Sequence, residues 1–231
     1  MSSQPNPGSR GLNRNEIERK ANEVVHLMLV WEQKKIPIKR QDINKLVMKD
    51  YRSLFNEVLP IADKKLQKVF GLKIEEIGEG SKKAFILKNI TEMPPTENPL
   101  LIVWQNDAKM GLLTCILTLI YMSGNVLSDS ALWSSLKRLH NIEKDRMHRK
   151  FGDVKKLITT EFVRQMYLEQ TKIPNTDPVQ FEYRWGQRSH VETSKRQILE
   201  FVTQLYGKSD IGVWKSQYQD MLDSEQQAAQ D

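Results

Sequence analysis

The residues that could do covalent or metal chemistry in this chain are few and poorly placed for it. Four histidines, His26, His140, His148 and His190, are scattered through 231 residues, and no pair has a metal-ligand spacing. The single cysteine, Cys115, falls inside an apolar helical run, where the thiolate a nucleophile needs is disfavoured. Gly78-Glu79-Gly80 with Lys82 and Lys83 has the ingredients of a phosphate loop, but the glycine spacing is wrong and no helix follows. Trp133 and Trp185 read as core anchors rather than cofactor platforms. No catalytic residue, metal site or cofactor is expected.

The chemistry that the composition favours is neutralisation of anions. The chain carries 35 Lys and Arg against 29 Asp and Glu, a formal charge of +6. Between Lys34 and Lys88 the count is 14 basic to 7 acidic, so this stretch alone holds more than the whole excess. A polyanion fits that segment, and so does an ordinary solvated lysine-rich surface; convergence of the lysines in the fold decides between them.

Hydrophobic residues make up 39% and charged residues 28%, a globular composition long enough for one large domain or two modules of about 100 residues each. One cysteine leaves no internal disulfide, and Met1 to Arg10 lacks the apolar stretch of a secretory signal, so a reducing compartment, cytosol or nucleus, is expected. The longest apolar run, Met110 to Met122, is shorter than the roughly 18 to 20 residues that cross a bilayer, and no membrane span is expected.

The elements that would position the basic residues repeat along the chain. After a tail over residues 1–12, apolar positions Ile17, Ala21, Val24, Val25, Met28 and Trp31 predict a long amphipathic helix. A short helix follows around Asp42 to Lys49, and a third is expected to start at Pro60 and close at Gly71, with Leu66, Val69 and Phe70 inward and Lys64, Lys65 and Lys68 outward. Lys73 to Ile77 and Lys83 to Lys88 predict a hairpin. Three helices and a hairpin over residues 13–90 describe a winged helix.

Residues 91–109, with three prolines and the apolar run Leu100 to Trp104, form the expected linker. Over residues 110–207 the order recurs: a helix from Met110 to Met122, a helix capped by Ser128 with Leu132, Leu136 and Leu139 on one face, and a third from about Thr160 through Tyr167. A strand at Val179 to Trp185 and a terminal helix from Glu192 to Leu205 complete it, the latter with Ile198, Leu199, Val202 and Leu205 on one face. Residues 208–231 are expected to be a helical extension ending in a frayed acidic tail. The fold class is mainly α with small β wings, as tandem winged-helix modules.

Several motifs then resemble one family. Gly111-Leu112-Leu113 opening a helix that ends Tyr121-Met122-Ser123-Gly124-Asn125, followed by Ala131-Leu132-Trp133, resembles the centre of the MAGE (melanoma antigen) homology domain. Tyr167-Leu168-Glu169, Asp177-Pro178, Phe181-Glu182-Tyr183, Trp185-Gly186-Gln187-Arg188 and Glu192-Thr193-Ser194-Lys195 follow in the family's order. Gln187 departs from the usual proline. Phe151-Gly152-Asp153, Lys155 to Thr159 and Phe162 to Gln165 look most like the MAGE-type non-SMC subunit of a DNA-repair chromosome-maintenance (SMC) complex.

The resemblance implies tandem winged helices and a RING-type ubiquitin-ligase subunit held by the paired leucines, here Leu112 and Leu113, with Ile116 on the same helix. Any ligase activity would then belong to that partner. Without the resemblance, the apolar Met110 to Met122 helix would more simply be covered by the other module. The resemblance further implies a kleisin subunit on the second module, for which Leu199 and Val202 are the candidates, and double-stranded DNA. Phosphate neutralisation needs no base reading, and two groups are candidates: Lys64, Lys65, Lys68, Lys82 and Lys83 in the first module, and Arg188, Lys195 and Arg196 behind the second wing. A nuclear, chromatin-associated location follows. The alternatives are a MAGE-type regulator of another RING ligase with no DNA role, and a free-standing winged-helix transcription regulator.

Overall fold

The computed structural model describes residues 14–78, 80, 83–91 and 108–229. The chain divides into two compact units, Met1–Thr91 and Glu92–Asp231. Most of the expected linker, the run Leu100 to Trp104, the expected tail and Lys82 lie outside the described residues.

In unit 1, helix α1 (Arg14–Glu32) buries Ala21, Val24 and Met28, a spacing of three and four that puts them on one stripe. A bridge between Ile38 and Phe85 follows, then α2 (Arg40–Ile43), which runs into a π turn at Asn44–Met48 and a 3-10 segment at Lys49–Leu54. In the π turn the Val47 carbonyl accepts a 2.8 Å bond from the buried Lys20 ammonium. Helix α3 (Phe55–Phe70) ends at Gly71, whose N–H still donates to the Gln67 carbonyl and whose left-handed φ of +63° then turns the chain out of the helix. A Cβ there would also lie 2.1 Å from the Thr91 hydroxyl oxygen. Strands β1 (Leu72–Ile77) and β2 (Ala84–Asn89) pair antiparallel with Ile74 opposite Leu87.

Two expectations change here. Helix α3 starts at Phe55, not Pro60; the proline sits inside the helix, where it forfeits one backbone bond without stopping it. Of the three side chains expected inward on α3, only Leu66 is buried, whereas Val69 is 69% and Phe70 48% exposed. Both sit in the last turn of α3, where the described residues leave them largely uncovered.

Unit 2 begins with α4 (Ala108–Met122), then β3 (Leu127–Ser128) and α5 (Asp129–His140), capped by the Ser128 hydroxyl, which accepts from the Ala131 N–H. The third helix is short: α6 (Val154–Lys156), capped by Asp153, continues as a π turn over Leu157–Phe162. Met166 at φ +63° turns the chain into β4 (Leu168–Lys172), so this helix starts six residues earlier than expected and ends before Tyr167. Strand β5 (Phe181–Trp185) is central in a sheet of order β3-β5-β4, with Tyr183 opposite Leu127 and Gln170.

The expected Glu192 to Leu205 helix is α8 (Lys195–Leu205), started by a Ser194–Gln197 capping box; a separate, unexpected helix, α7 (Gln187–Glu192), precedes it across extended Thr193. Leu139 and Leu205, expected on buried faces, are exposed at helix ends. The acidic end is not frayed: α9 (Lys215–Ala228) follows a 3-10 turn at Ile211–Val213, and its Met221 is fully buried. Each unit therefore has the helix, short strand or bridge, helix, helix, strand, strand order of a winged helix, and unit 2 adds α7 to α9.

Candidate nucleic-acid and partner interfaces

Helix α4 is apolar nearly all round because unit 2 packs on most of its circumference. Leu112 (2% exposed), Leu113 and Ile116 (both 0%) sit in the same core cluster as Leu136, Phe162, Tyr183 and Leu199. The three side chains expected at a partner surface are thus core side chains, and truncating them would cost about 2–5 kcal/mol each in stability. What α4 presents instead is exposed Gly111 and the half-buried Cys115, Thr118 and Met122, at i, i+4, i+7 and i+11 along one edge. A Cβ on Gly111 would meet open space.

The second candidate group of cations is drawn inward. Arg188 is fully buried: its Nε donates to Glu192 Oε1 at 2.7 Å, its guanidinium lies 5.0 Å from the Tyr167 ring, and Tyr167 Oη donates to Glu192 Oε2 at 2.7 Å. This planar, stacked arrangement suits arginine and not lysine. It ties α7 to the start of β4 and removes Arg188 from any external ligand. Lys195 pairs with Asp220 (2.7 Å) and donates to the Ser224 hydroxyl, and Arg196 holds Glu225 through bonds of 2.8 and 2.7 Å. The hydrogen bond from Arg196 keeps the Glu225 carboxyl below its usual range. Both cations face α9 rather than solvent alone.

The first group is more open. Lys64 and Lys68 are exposed on α3 and have no ion pair among the described residues. Lys65 is tied to Glu18 and Asn22, and Lys83 stands 3.4 Å from Glu76.

A denser basic group is absent from the candidates that the sequence suggested. Residues 137–156 hold eight Lys and Arg against three Asp and Glu, and they form the end of α5, the loop before α6 and α6 itself. Lys155 pairs with Asp145 and Lys137 with Glu143, but Arg138, Arg149, Lys150 and Lys156, with Arg164 just beyond, are exposed and unpaired among the described residues. The loop is held by a bridge between His148 and Gly152 and by the His148 ring stacked on Phe151 at 4.7 Å. A sliding charge count over about twenty residues would have found it.

Leu199 (0%) and Val202 (3%), the candidate kleisin contacts, are core residues of unit 2. In the same unit, Asp129 accepts from Trp133 Nε1 and Tyr183 Oη at 3.0 and 3.1 Å, a network joining α5 to β5. Burial, then the Asp129 charge, pushes the Tyr183 phenol well up, which keeps it a donor. No group of three or more His, Cys, Asp or Glu that could hold a metal exists among the described residues, and no described helix is long and apolar enough to cross a membrane.

A family model described as the MAGE homology domain matches residues 24–196. The human "non-structural maintenance of chromosomes element 3 homolog" is 42% identical over 214 residues, 93% of this chain and 69% of that protein. The mouse protein of the same name is 41% identical over 227 residues, 98% and 79% of the two chains. Human melanoma-associated antigen D2 is 37% identical over 213 residues, which cover 34% of that protein. Among solved structures, a chain of an "Nse1-Nse3-Nse4 complex" superposes with a TM-score of 0.81 at 43% identity, covering 91% of this chain and 99% of that one.

Proposed function

The chain belongs to the MAGE homology domain family, and on that premise we propose that it is a non-enzymatic adaptor subunit of a nuclear, chromatin-associated DNA-repair SMC complex. In this reading it holds and stimulates a RING-type ubiquitin-ligase subunit, contacts a kleisin subunit, and binds double-stranded DNA without sequence preference. The observation that carries the reading is the likeness, across 91% of this chain, to a chain solved in an Nse1-Nse3-Nse4 complex.

The RING subunit docks on the open edge of α4, over Gly111, Cys115, Thr118 and Met122, while Leu112, Leu113 and Ile116 set that edge's position from within the core. A Leu112→Ala, Leu113→Ala double variant would confuse a packing defect with a binding defect. Gly111→Arg places bulk in open space, so it is expected to abolish RING co-purification with the melting temperature of unit 2 unchanged. Full co-purification by a folded Gly111→Arg chain would remove this assignment.

DNA is met by the third helices, the elements that winged and helix-turn-helix modules present to a groove. In unit 2 the DNA is held through Lys156 on that helix, Arg149 and Lys150 in the loop that leads into it and Arg164 just beyond it, in unit 1 through Lys64 and Lys68. Removing one phosphate-neutralising cation should lower the slope of log affinity against log salt by about 0.9, with no change in sequence preference. In mobility-shift titrations of unrelated duplexes, Lys150→Glu with Lys156→Glu is expected to weaken binding equally for all of them. Unchanged affinity for charge reversals in both groups would leave the second reading, a regulator of another RING ligase without a DNA role. That reading draws on the 37% identity to melanoma-associated antigen D2.

A further inference from the structure

Helix α9 is held on unit 2 in the manner of a bound peptide. Among its described side chains the one that is fully buried is Met221, flanked by half-buried Tyr218 and Leu222. The rest of its attachment is polar and falls on two places, the end of α4 and the start of α8. Tyr121 Oη donates to the Gln217 carbonyl at 2.6 Å, Gln217 Nε2 donates to the Met122 carbonyl at 3.1 Å, and Asn125 Nδ2 donates to Asp220 at 2.9 Å. Across from these, Lys195 and Arg196 take Asp220 and Glu225.

A segment of fourteen residues would be at best marginally helical alone, so α9 is a helix because the groove makes it one. The Arg196–Glu225 pair is close to half exposed, where ion pairs are weak and screened by salt. The attachment is built from one buried anchor with two half-buried apolar flanks, a few neutral hydrogen bonds and separable charges, and an anchor of that kind can exchange.

We propose that α9 is an exchangeable self-ligand, and that the groove it fills, between the end of α4 and the start of α8, is a docking site for an acidic amphipathic helix of a partner. The charge pattern defines the occupant: a methionine or other large apolar anchor, a carboxylate one residue before it for Lys195, and another four residues after it for Arg196. Resting on the reading above, that helix belongs to the kleisin subunit. Leu199 and Val202 then shape the groove from below rather than touching the partner. The tether through residues 206–214 keeps α9 at an effective concentration on the order of millimolar, so a partner sees its affinity reduced by the small fraction of chains with the groove open.

The test uses the full chain and, as probe, a fluorescein-labelled peptide copying residues 213–227. Asp220→Lys with Glu225→Lys repels the tethered helix from Lys195 and Arg196 without touching the core. This variant is expected to bind the peptide about ten-fold or more tightly than the unaltered chain, with hydrogen exchange of α5 and β5 unchanged. Adding Arg196→Glu to the same chain is expected to cancel the gain. Equally weak binding by the unaltered chain and the double variant would overturn the exchangeable helix. A kleisin subunit that binds the chain but leaves the peptide in place would overturn the shared groove. A kleisin subunit that does not bind the chain at all would remove the proposed complex, while the peptide result would still stand for the groove.

Discussion

Among the described residues each unit buries one basic side chain, and the two do so for different reasons. In unit 2, Arg188 is 0% exposed and locked between the Glu192 carboxylate and the Tyr167 ring, so its charge is balanced within the core. In unit 1, Lys20 is 7% exposed and its ammonium serves the backbone: it donates to the Val47 carbonyl of the π turn and to Glu23, with the Tyr51 ring 5.6 Å away. Arg188 closes on Glu192 of its own helix and on the Tyr167 ring, so its partners are largely buried, whereas Lys20 reaches across to the π turn and leaves its other partner, Glu23, nearly half in water. The comparison teaches that positive charge in a basic chain is not one population. Part of it is mortar, and what remains outside, Lys64, Lys68, Arg149, Lys150 and Lys156, is what a polyanion can meet.

The comparison breaks most readily at Arg188. Arg188→Ala leaves the Glu192 carboxylate largely buried without its counter-charge and is expected to destabilise unit 2 by about 3–5 kcal/mol, read by chemical denaturation. A loss below about 1 kcal/mol, the size of a surface pair, would place Arg188 with the solvated cations after all. Lys20→Met keeps most of the packed stem but leaves the Val47 carbonyl without its donor, so unit 1 should lose about 1–3 kcal/mol. Faster exchange confined to the amides of 44–54 would mark the π turn as the site of that loss. At the small end, Val69→Ser should change unit 1 by no more than about 0.5 kcal/mol, because Val69 is an exposed end residue rather than the inward one its spacing suggests. A loss comparable to that of Leu66→Ala, about 2–5 kcal/mol, would mean that something covers this end of α3.

Much of the fold was legible from residue order. The stripe Ala21, Val24, Met28 marks α1, Gly71 closes α3, Ser128 caps α5, and the turn residues before Lys83 announce the hairpin. These are local signals, set within one or two turns of the chain. The misjudged elements are those whose fate depends on distant neighbours. Pro60 reads as a helix start but lies within α3, and Leu168 to Lys172 has no strand pattern of its own yet pairs with β5 because Trp185 and Arg184 lie across from it. The acidic end reads as a frayed tail, but Met221 and the cations of α8 dock it.

The candidate sites divide along the same line. Residue types and their order determined the family resemblance, the tandem winged-helix architecture and the surplus of positive charge, because each depends on local pattern or on a sum. Only the tertiary structure decided that Leu112, Leu113, Ile116, Leu199 and Val202 are core, that Arg188 is buried, and that Lys195 and Arg196 face α9. Whether a side chain is surface or interior is settled by what packs against it from elsewhere in the chain, and a periodic stripe marks the face that is covered without naming the cover.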